Sequence, residues 1–333
     1  MERRRFFKVA AMGGGSIMVS GLAPVESLAN LSNSTLDNQP DEAPTQRTSL
    51  LKGVCDIHIH ASPDSKPRLI DELSFARDAH KAGYRSIMYK SNDFSCHDRV
   101  YLIRQELPDF EVFGSLVMNR VHGDKVNVRA AEKAVETTGN YCRCIWMPTG
   151  DAQYPLKRAN SKEKAIPVLG SDGKVLPEVV RVMEVCGEAD IMFATGHSSP
   201  EEALVLARKA HEVGVKKFVV THANSGIWTM TKDQINRSID LGAFIEYCYI
   251  TNLWGPGTGL PDFTRVSDEE FLSFARINPQ RSFITSDLGQ VGMPHPIDGM
   301  NTCIRALQTG GVPEKDIDLL LRRNPAMLVG LTD

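Results

Sequence analysis

From residue 53 onward, short runs of β-branched and apolar residues alternate with stretches in which apolar positions recur every three or four residues. These are the periods of a buried strand and of a helix with one apolar face. The runs predict strands over 53–59 (GVCDIHI), 85–90 (RSIMYK), 110–117 (FEVFGSLV), 141–147 (YCRCIWM), 189–195 (ADIMFAT), 216–221 (KKFVVT), 243–249 (AFIEYCY) and 282–286 (SFITS). Helices are expected between them, among them Asp71–Ala82, Val126–Glu136, Pro200–Val213 and Asp268–Ile277, with Gly83, Gly214 and Gly242 as C-terminal stops. Eight strand-then-helix units predict an α/β fold, a parallel sheet closed into a (β/α)8 TIM barrel that occupies residues 51–333 as one domain. A doubly wound open sheet is the alternative, but it would carry a Gly-rich phosphate loop after its first strand, and the only GGG lies at 13–15. The longest excursion, 150–175, follows the fourth strand and contains a hairpin expected around Asp172 and Gly173. A loop of that length at a strand C-terminus commonly covers a site.

The first thirty residues read differently. Arg3, Arg4, Arg5, Phe6, Phe7 and Lys8 precede a Gly-rich, moderately apolar stretch from Val9 to Leu22 and a small-residue end at Ser27, Leu28 and Ala29. That order predicts a cleaved signal peptide over 1–30, because the apolar stretch is short of the roughly 20 residues that span a bilayer. The Arg-Arg-x-Phe-Phe-Lys order resembles the twin-arginine export motif, with Glu2 where that motif usually has Ser or Thr. The resemblance implies the twin-arginine translocation machinery as a partner, export of an already folded chain, a periplasmic or secreted location and no stable membrane anchor. Residues 31–50 follow as a Ser, Asn, Pro and Asp-rich flexible linker.

Composition narrows the function. Apolar residues are 42% of the 333 and charged ones 24%, the make-up of a globular protein with a sizeable core. With 38 basic and 41 acidic residues the net charge is −3, so no global positive field exists to hold nucleic acid. Seven Cys without a CxxC pair do not form a disulfide framework. Those inside predicted strands read as small buried apolar residues.

Asp56, His58 and His60 recur at every second position of the first strand, so the three side chains are expected to leave one face, with both imidazoles roughly 7 Å apart and pointing into the barrel mouth. His197 follows the fifth strand in ATGHSS, His222 ends the sixth in VVTHAN and Asp287 ends the eighth in ITSDLG. Side chains at barrel strand ends converge on one site. Neutral imidazoles and a carboxylate suit a divalent metal, zinc before manganese or iron, and leave positions open for water and substrate. Such an ion supplies a nucleophile near neutral pH, metal-bound hydroxide, without an activated Ser or Cys. Asp287 would carry the proton to the leaving group. His222 is expected either on the metal or slightly off it, polarising a carbonyl.

This set, together with the terminal NPAMLVGL (Asn324 to Leu331), resembles the amidohydrolase superfamily of metal-dependent hydrolases over residues 53–331. More narrowly, DIHIHASPDSKPR, SIMYKSN, MPTGDA, ATGHSSPEE and SDLGQVGMPHP are similar to a bacterial and archaeal amidohydrolase-like family of undefined activity. Binuclear members of the superfamily bridge two metals with a carboxylated Lys or a Glu after strand three or four. Here strand four ends in Met147, Pro148 and Thr149, which leaves Lys90, at the end of strand two, as the candidate bridge, as a carbamate. The alternatives for Lys90 are an anion-binding role or a pair with Asp287 or Glu246. One ion or two is left open.

Substrate contacts are expected from Arg68, whose planar fork suits a carboxylate or phosphate, with Lys66 beside it, and from Asn92, Asn119 and Arg120 on the same rim. Glu246, acidic within an apolar strand, is counted with the substrate contacts and is either inward-facing near the metal or paired inside the barrel. Trp228 and Trp254 line a pocket for a ring or serve packing. The sequence therefore predicts an amidohydrolase-type enzyme cleaving a C–N or C–O bond of a small molecule: an amide, lactam, lactone or ester. The alternative is a metal-dependent nonoxidative decarboxylase of an aromatic or enol acid on the same ligands. A non-catalytic binding protein on this barrel would have let a ligand position decay, and none has. A homo-oligomer is left open.

Overall fold

The computed structural model describes residues 50–332 apart from Thr229. The expected signal peptide and all of the expected linker except Leu50, which opens a short helical turn, lie outside the described residues. Each expected strand is present: β1 Cys55–Ile59, β2 Ser86–Tyr89, β3 Glu111–Val117, β4 Cys142–Trp146, β5 Met192–Ala194, β6 Phe218–Val220, β7 Phe244–Cys248 and β8 Ser282–Thr285. They pair in parallel in the order β1 to β8. This is the (β/α)8 barrel.

The connecting helices are α1 Glu72–Lys81, α2 His97–Glu106, α3 Val128–Glu136, then α4 Gln153–Arg158 and α5 Pro177–Glu188, both after β4. After β5 to β8 come α6 Pro200–Glu212, α7 Lys232–Asp240, α8 Asp268–Ala275 and α9 Pro296–Thr309. Local sequence sets their starts. Ser199 with Glu202 and Thr231 with Gln234 form capping boxes on α6 and α7, each satisfying backbone N–H groups that have no partner within the helix. The expected hairpin in 150–175 is present as an antiparallel bridge between Leu169 and Val175. No helix among the described residues is long and apolar enough to cross a membrane.

Two apolar layers follow from the period-two pattern. Cys55, Ile57, Met88, Phe113, Trp146, Met192, Val219 and Phe244 fill the barrel, and Ala326, Leu328 and Val329 plug it from below. Ile59, Ile87, Val112, Ile145, Phe193, Val220, Ile245 and Ile284 face outward, against Phe75, Val179, Leu206, Phe271 and Leu307 of the helices. Each fully buried side chain of this size contributes about 1.5–3 kcal/mol.

The expectation that Asp56, His58 and His60 share a face fails at a β-bulge. Asp56 pairs with Ile87 but Ile59 with Tyr89, so β1 uses one more residue than its partner over that step. Ile57 and His58 consequently both reach the barrel interior, where Ile57 joins the inner layer and the His58 ring lies 4.8 Å from that of Trp146. Asp56 is turned the other way, toward Tyr84 and Cys303 of the outer layer. There its Oδ1 accepts the N–H of Ser286 at 3.1 Å. The backbone adds Asp287 N–H to the His58 carbonyl (3.0 Å) and His60 N–H to the Leu288 carbonyl (2.8 Å). These three bonds join the first strand to the last.

Asp56 is fully buried and its Oδ2 has no partner, so burial pushes its pKa up to about 7 from 3.8. The folded protein keeps a proton on Asp56 that the unfolded chain has lost, and stability therefore falls as pH rises from 3.8 to about 7, then levels. Asp56→Asn keeps the acceptor for Ser286 and abolishes this fall. Between pH 5 and pH 8 its stability relative to the parent should improve by roughly 2 kcal/mol. Urea unfolding of both proteins at the two pH values checks this, and parallel pH profiles would refute it.

Candidate metal centre

Asp287 stands where the strand ends converge. Its Oδ1 lies 3.1 Å from His58 Nε2 and 3.1 Å from His60 Nε2. His222 Nδ1, buried and without a hydrogen-bond partner, is 3.8 Å from Oδ2. The donor atoms of His58, His222 and Asp287 all lie within 4.8 Å of one another. His197 flanks the group, its ring 5.2 Å from that of His222, and Trp228 stacks on His222 at 5.1 Å.

The backbone is bent to reach this arrangement. His222 and Asp287 take left-handed conformations, with φ of 57° and 53°, a region that costs a non-glycine residue free energy and concentrates at functional sites. Two glycines make room. A Cβ on Gly289 would sit 1.6 Å from the His60 carbonyl oxygen, and one on Gly196, just before His197, 2.2 Å from the Met147 carbonyl oxygen.

Behind the atoms that meet at Asp287 lies a second set of polar groups. His58 donates from Nδ1 to Glu246 Oε1 at 2.8 Å, and Thr285 Oγ1 donates to the same oxygen at 2.9 Å. That bond orients the His58 ring so that Nε2 is turned toward Asp287 and Lys90. Lys90 Nζ is 3.0 Å from the same Nε2 and 4.6 Å from the centre of the Trp146 ring. His58, Glu246 and Cys248 also bring donor atoms together. In that group, however, His58 Nδ1 is engaged by Glu246, and burial drives the Cys248 thiol well above its ordinary pKa. The group around Asp287 is therefore the better cation site.

The charges agree with that choice. Burial pushes His60 down to about 3, aided by the nearby Arg68 guanidinium, and His222 to about 4. His197 is driven well below its ordinary value by burial and by His222. Three imidazoles are thus neutral at pH 7, with lone pairs available. Burial alone would depress His58 too, but Asp287 and Glu246 outweigh it and raise its pKa. Burial would raise Asp287, yet the surrounding imidazoles, His58 foremost, hold it well below the carboxylate range. Burial lowers Lys90. Neutral imidazoles converging on an anionic carboxylate, with a buried His222 nitrogen lacking any partner, fit a divalent ion of the zinc, manganese or iron type.

The other residues singled out in the sequence are placed as follows. Lys90, Asn92, Trp228 and Trp254 line a cavity of about 240 Å³ that opens onto His60, His197, His222 and Asp287. Glu246 is wholly buried behind His58, outside the cavity lining, so it orients the His58 ring rather than touching a substrate. Arg68 is turned onto Asp64 at 2.9 Å. Arg120 pairs with Glu163 at 2.9 Å and donates its backbone N–H to Asp151 Oδ2, which ties the excursion after β4 to the rim. Lys66 is exposed. Asn119 bonds Thr149 and the Asn92 carbonyl, and so braces the β2, β3 and β4 ends. The excursion also reaches across the mouth, where Tyr154 and Arg158 both bond the Ile227 carbonyl, at 3.3 and 2.8 Å. Sequence reasoning missed Trp146, Thr285 and Gln290. A polar Thr in an inward position of β8 was the one available signal.

A family model described as a family of unknown function (DUF6282) matches residues 53–246. No curated protein matches the sequence. Among solved structures, the probable dipeptidase PvdM from Pseudomonas aeruginosa aligns with a TM-score of 0.59 at 11% identity, over 86% of this chain and 96% of its own. A triple mutant of organophosphorus hydrolase from Deinococcus radiodurans aligns with a TM-score of 0.56 at 13% identity, over 85% and 94%. An amidohydrolase from Pseudomonas aeruginosa does so with 0.56 at 11%, over 86% and 98%. At these identities the likeness establishes the shared barrel fold.

Glu246→Gln replaces an anionic acceptor by an amide and removes the charge that orients His58. Metal affinity should fall by about 10–100-fold, read by competition with a chromophoric chelator. An unchanged affinity would show that His58 needs no anionic partner at Nδ1.

Proposed function

The chain belongs to the family of unknown function DUF6282, and we propose that it is a metal-dependent hydrolase that cleaves a C–N or C–O bond at the carbonyl of a small amide, lactam, lactone or ester. The observation that carries this reading is the meeting of His58, His60 and His222 on the carboxylate of Asp287 at the floor of an open cavity. These four residues would hold the ion, with His197 beside them. A divalent ion bound there polarises a carbonyl and makes water acidic enough to react at neutral pH.

The chain supplies the rest. Asp287 is anionic at neutral pH because the imidazoles around it hold its pKa down, so it accepts a proton from the attacking water and returns it to the leaving atom. Glu246 and Thr285 keep the His58 ring in one orientation throughout. Lys90, wedged between His58 and Trp146, places a cation beside the carboxylate. A carbamate on Lys90, bridging two ions, would require it to leave His58, and metal content per chain decides between one ion and two.

Export in the folded state fits the same picture. All seven cysteines are free and buried, so folding before arrival in an oxidising compartment would leave no thiol exposed to pair wrongly. The proposal of twin-arginine export rests on Arg3 and Arg4. Arg3→Lys with Arg4→Lys should hold the protein in the cytoplasm on cell fractionation.

Chelation should abolish turnover of ester, lactone and amide substrates, and added zinc or manganese should restore it. His58→Ala should lose bound metal by elemental analysis. Asp287→Asn should lose at least about 100-fold in kcat while retaining part of the metal. Full activity after removal of divalent ions would end the proposal. Release of carbon dioxide from an aromatic acid without consumption of water would replace hydrolysis by decarboxylation.

A further inference from the structure

The cavity in front of Asp287 is chemically lopsided. One wall is apolar and continuous, built from Ile227, Trp228, Ile250, Trp254, Leu260 and Phe263 on the loops after β6 and β7. The rings of Trp254 and Phe263 lie tilted against each other with centroids 4.9 Å apart, and Trp228 extends the wall to the ring of His222. The opposite side carries the ligand imidazoles, Asn92 and Gln290.

Formal charge on the lining is confined to Lys90 and Asp287. Lys90 is buried, with its ammonium against His58 Nε2 and over Trp146, so its charge is matched by Asp287 and Glu246 and not presented to an incoming anion. Of the basic residues that the sequence offered to a substrate, Arg68 is committed to Asp64 and Arg120 to Asp151 and Glu163, and Lys66 is exposed and outside the cavity lining. An ionised substrate group held against the apolar wall, away from the ion site at Asp287, would lose its water without gaining a counter-charge, whereas an apolar ring gains from every contact with the wall. The volume, about 240 Å³, lies below the usual range for drug-sized ligands and suits a single ring with short substituents.

We infer that the substrate is a small uncharged molecule built on one apolar or aromatic ring, with its carbonyl directed at Asp287 and its ring against Trp254 and Phe263. This rests on the hydrolase reading above. Water adds across the scissile bond, its oxygen to the acyl carbon and its protons shared between the departing oxygen or nitrogen and the new acid.

The test uses the full metal-loaded chain and two isosteric, unhydrolysable probes, 4-(methylsulfonyl)acetophenone and 4-acetylbenzenesulfonate, which differ in charge and share a poor metal ligand at the far end. Titration calorimetry should show the neutral probe bound at least about tenfold more tightly. Phe263→Ala, at a side chain already 39% exposed, and Trp254→Ala should each weaken the neutral probe about fivefold or more with metal content unchanged. Circular dichroism checks that both variants fold, and Phe263→Ala alone suffices if Trp254→Ala does not. Equal or tighter binding of the sulfonate, no binding of either probe, or binding indifferent to Phe263→Ala overturns the inference. Phenyl acetate and 4-acetoxybenzoate then separate the two readings. Hydrolysis of both esters at similar kcat/KM overturns the neutral-substrate inference and leaves the hydrolase standing. No hydrolysis of any ester or amide, with the probe preference intact, sinks the hydrolase and leaves the pocket's selectivity.

Discussion

Everything in this barrel is arranged around the requirement that one carboxylate, Asp287, face three imidazoles at once. The strand that ends in Asp287 must also close against the strand that carries His58 and His60, because Asp287 N–H bonds the His58 carbonyl. Site and seam are one structure. The left-handed turn at Asp287, the bulge in β1 and the glycine at 289 are the local distortions that let a regular sheet meet that demand. Distortions of this kind persist only when the surroundings over-determine them. Here the two apolar layers of the barrel do so.

The electrostatics answer the same demand. A lone carboxylate buried this deeply would take up a proton, but the imidazoles keep Asp287 ionised. Glu246 and Lys90 extend the alternation of charge inward, from carboxylate to imidazole to carboxylate, with an ammonium at the side. Removing one member leaves the others uncompensated, so the group behaves as a unit. Asp56 lies outside this arrangement, across the strand, and spends its acceptor on the seam.

Much of this was legible in the chain. The eight strands were visible because each is a short apolar run set between helical periods, and the residues that gather at the barrel mouth because His197, His222 and Asp287 stand at the ends of such runs. The common face assigned to Asp56, His58 and His60 was wrong, since a bulge is decided by pairing with a neighbouring strand and leaves no trace in local periodicity. Arg68 and Arg120 looked available for substrate because a sequence shows a guanidinium without its partner. Asp64, Asp151 and Glu163 claim them only after folding. Glu246 was recognised as anomalous in an apolar strand, and its two readings were divided by the position of His58, which lies 188 residues away.

The excursion between β4 and α5 touches the site from outside. It hooks onto the Ile227 carbonyl through Tyr154 and Arg158 and contributes Pro155 to the cavity, yet supplies none of the atoms that meet Asp287. Insertions or exchanges in that segment would therefore reshape the entrance while the buried charges stay in register. Such a division separates the part of the barrel that would select what enters from the part that would act on it.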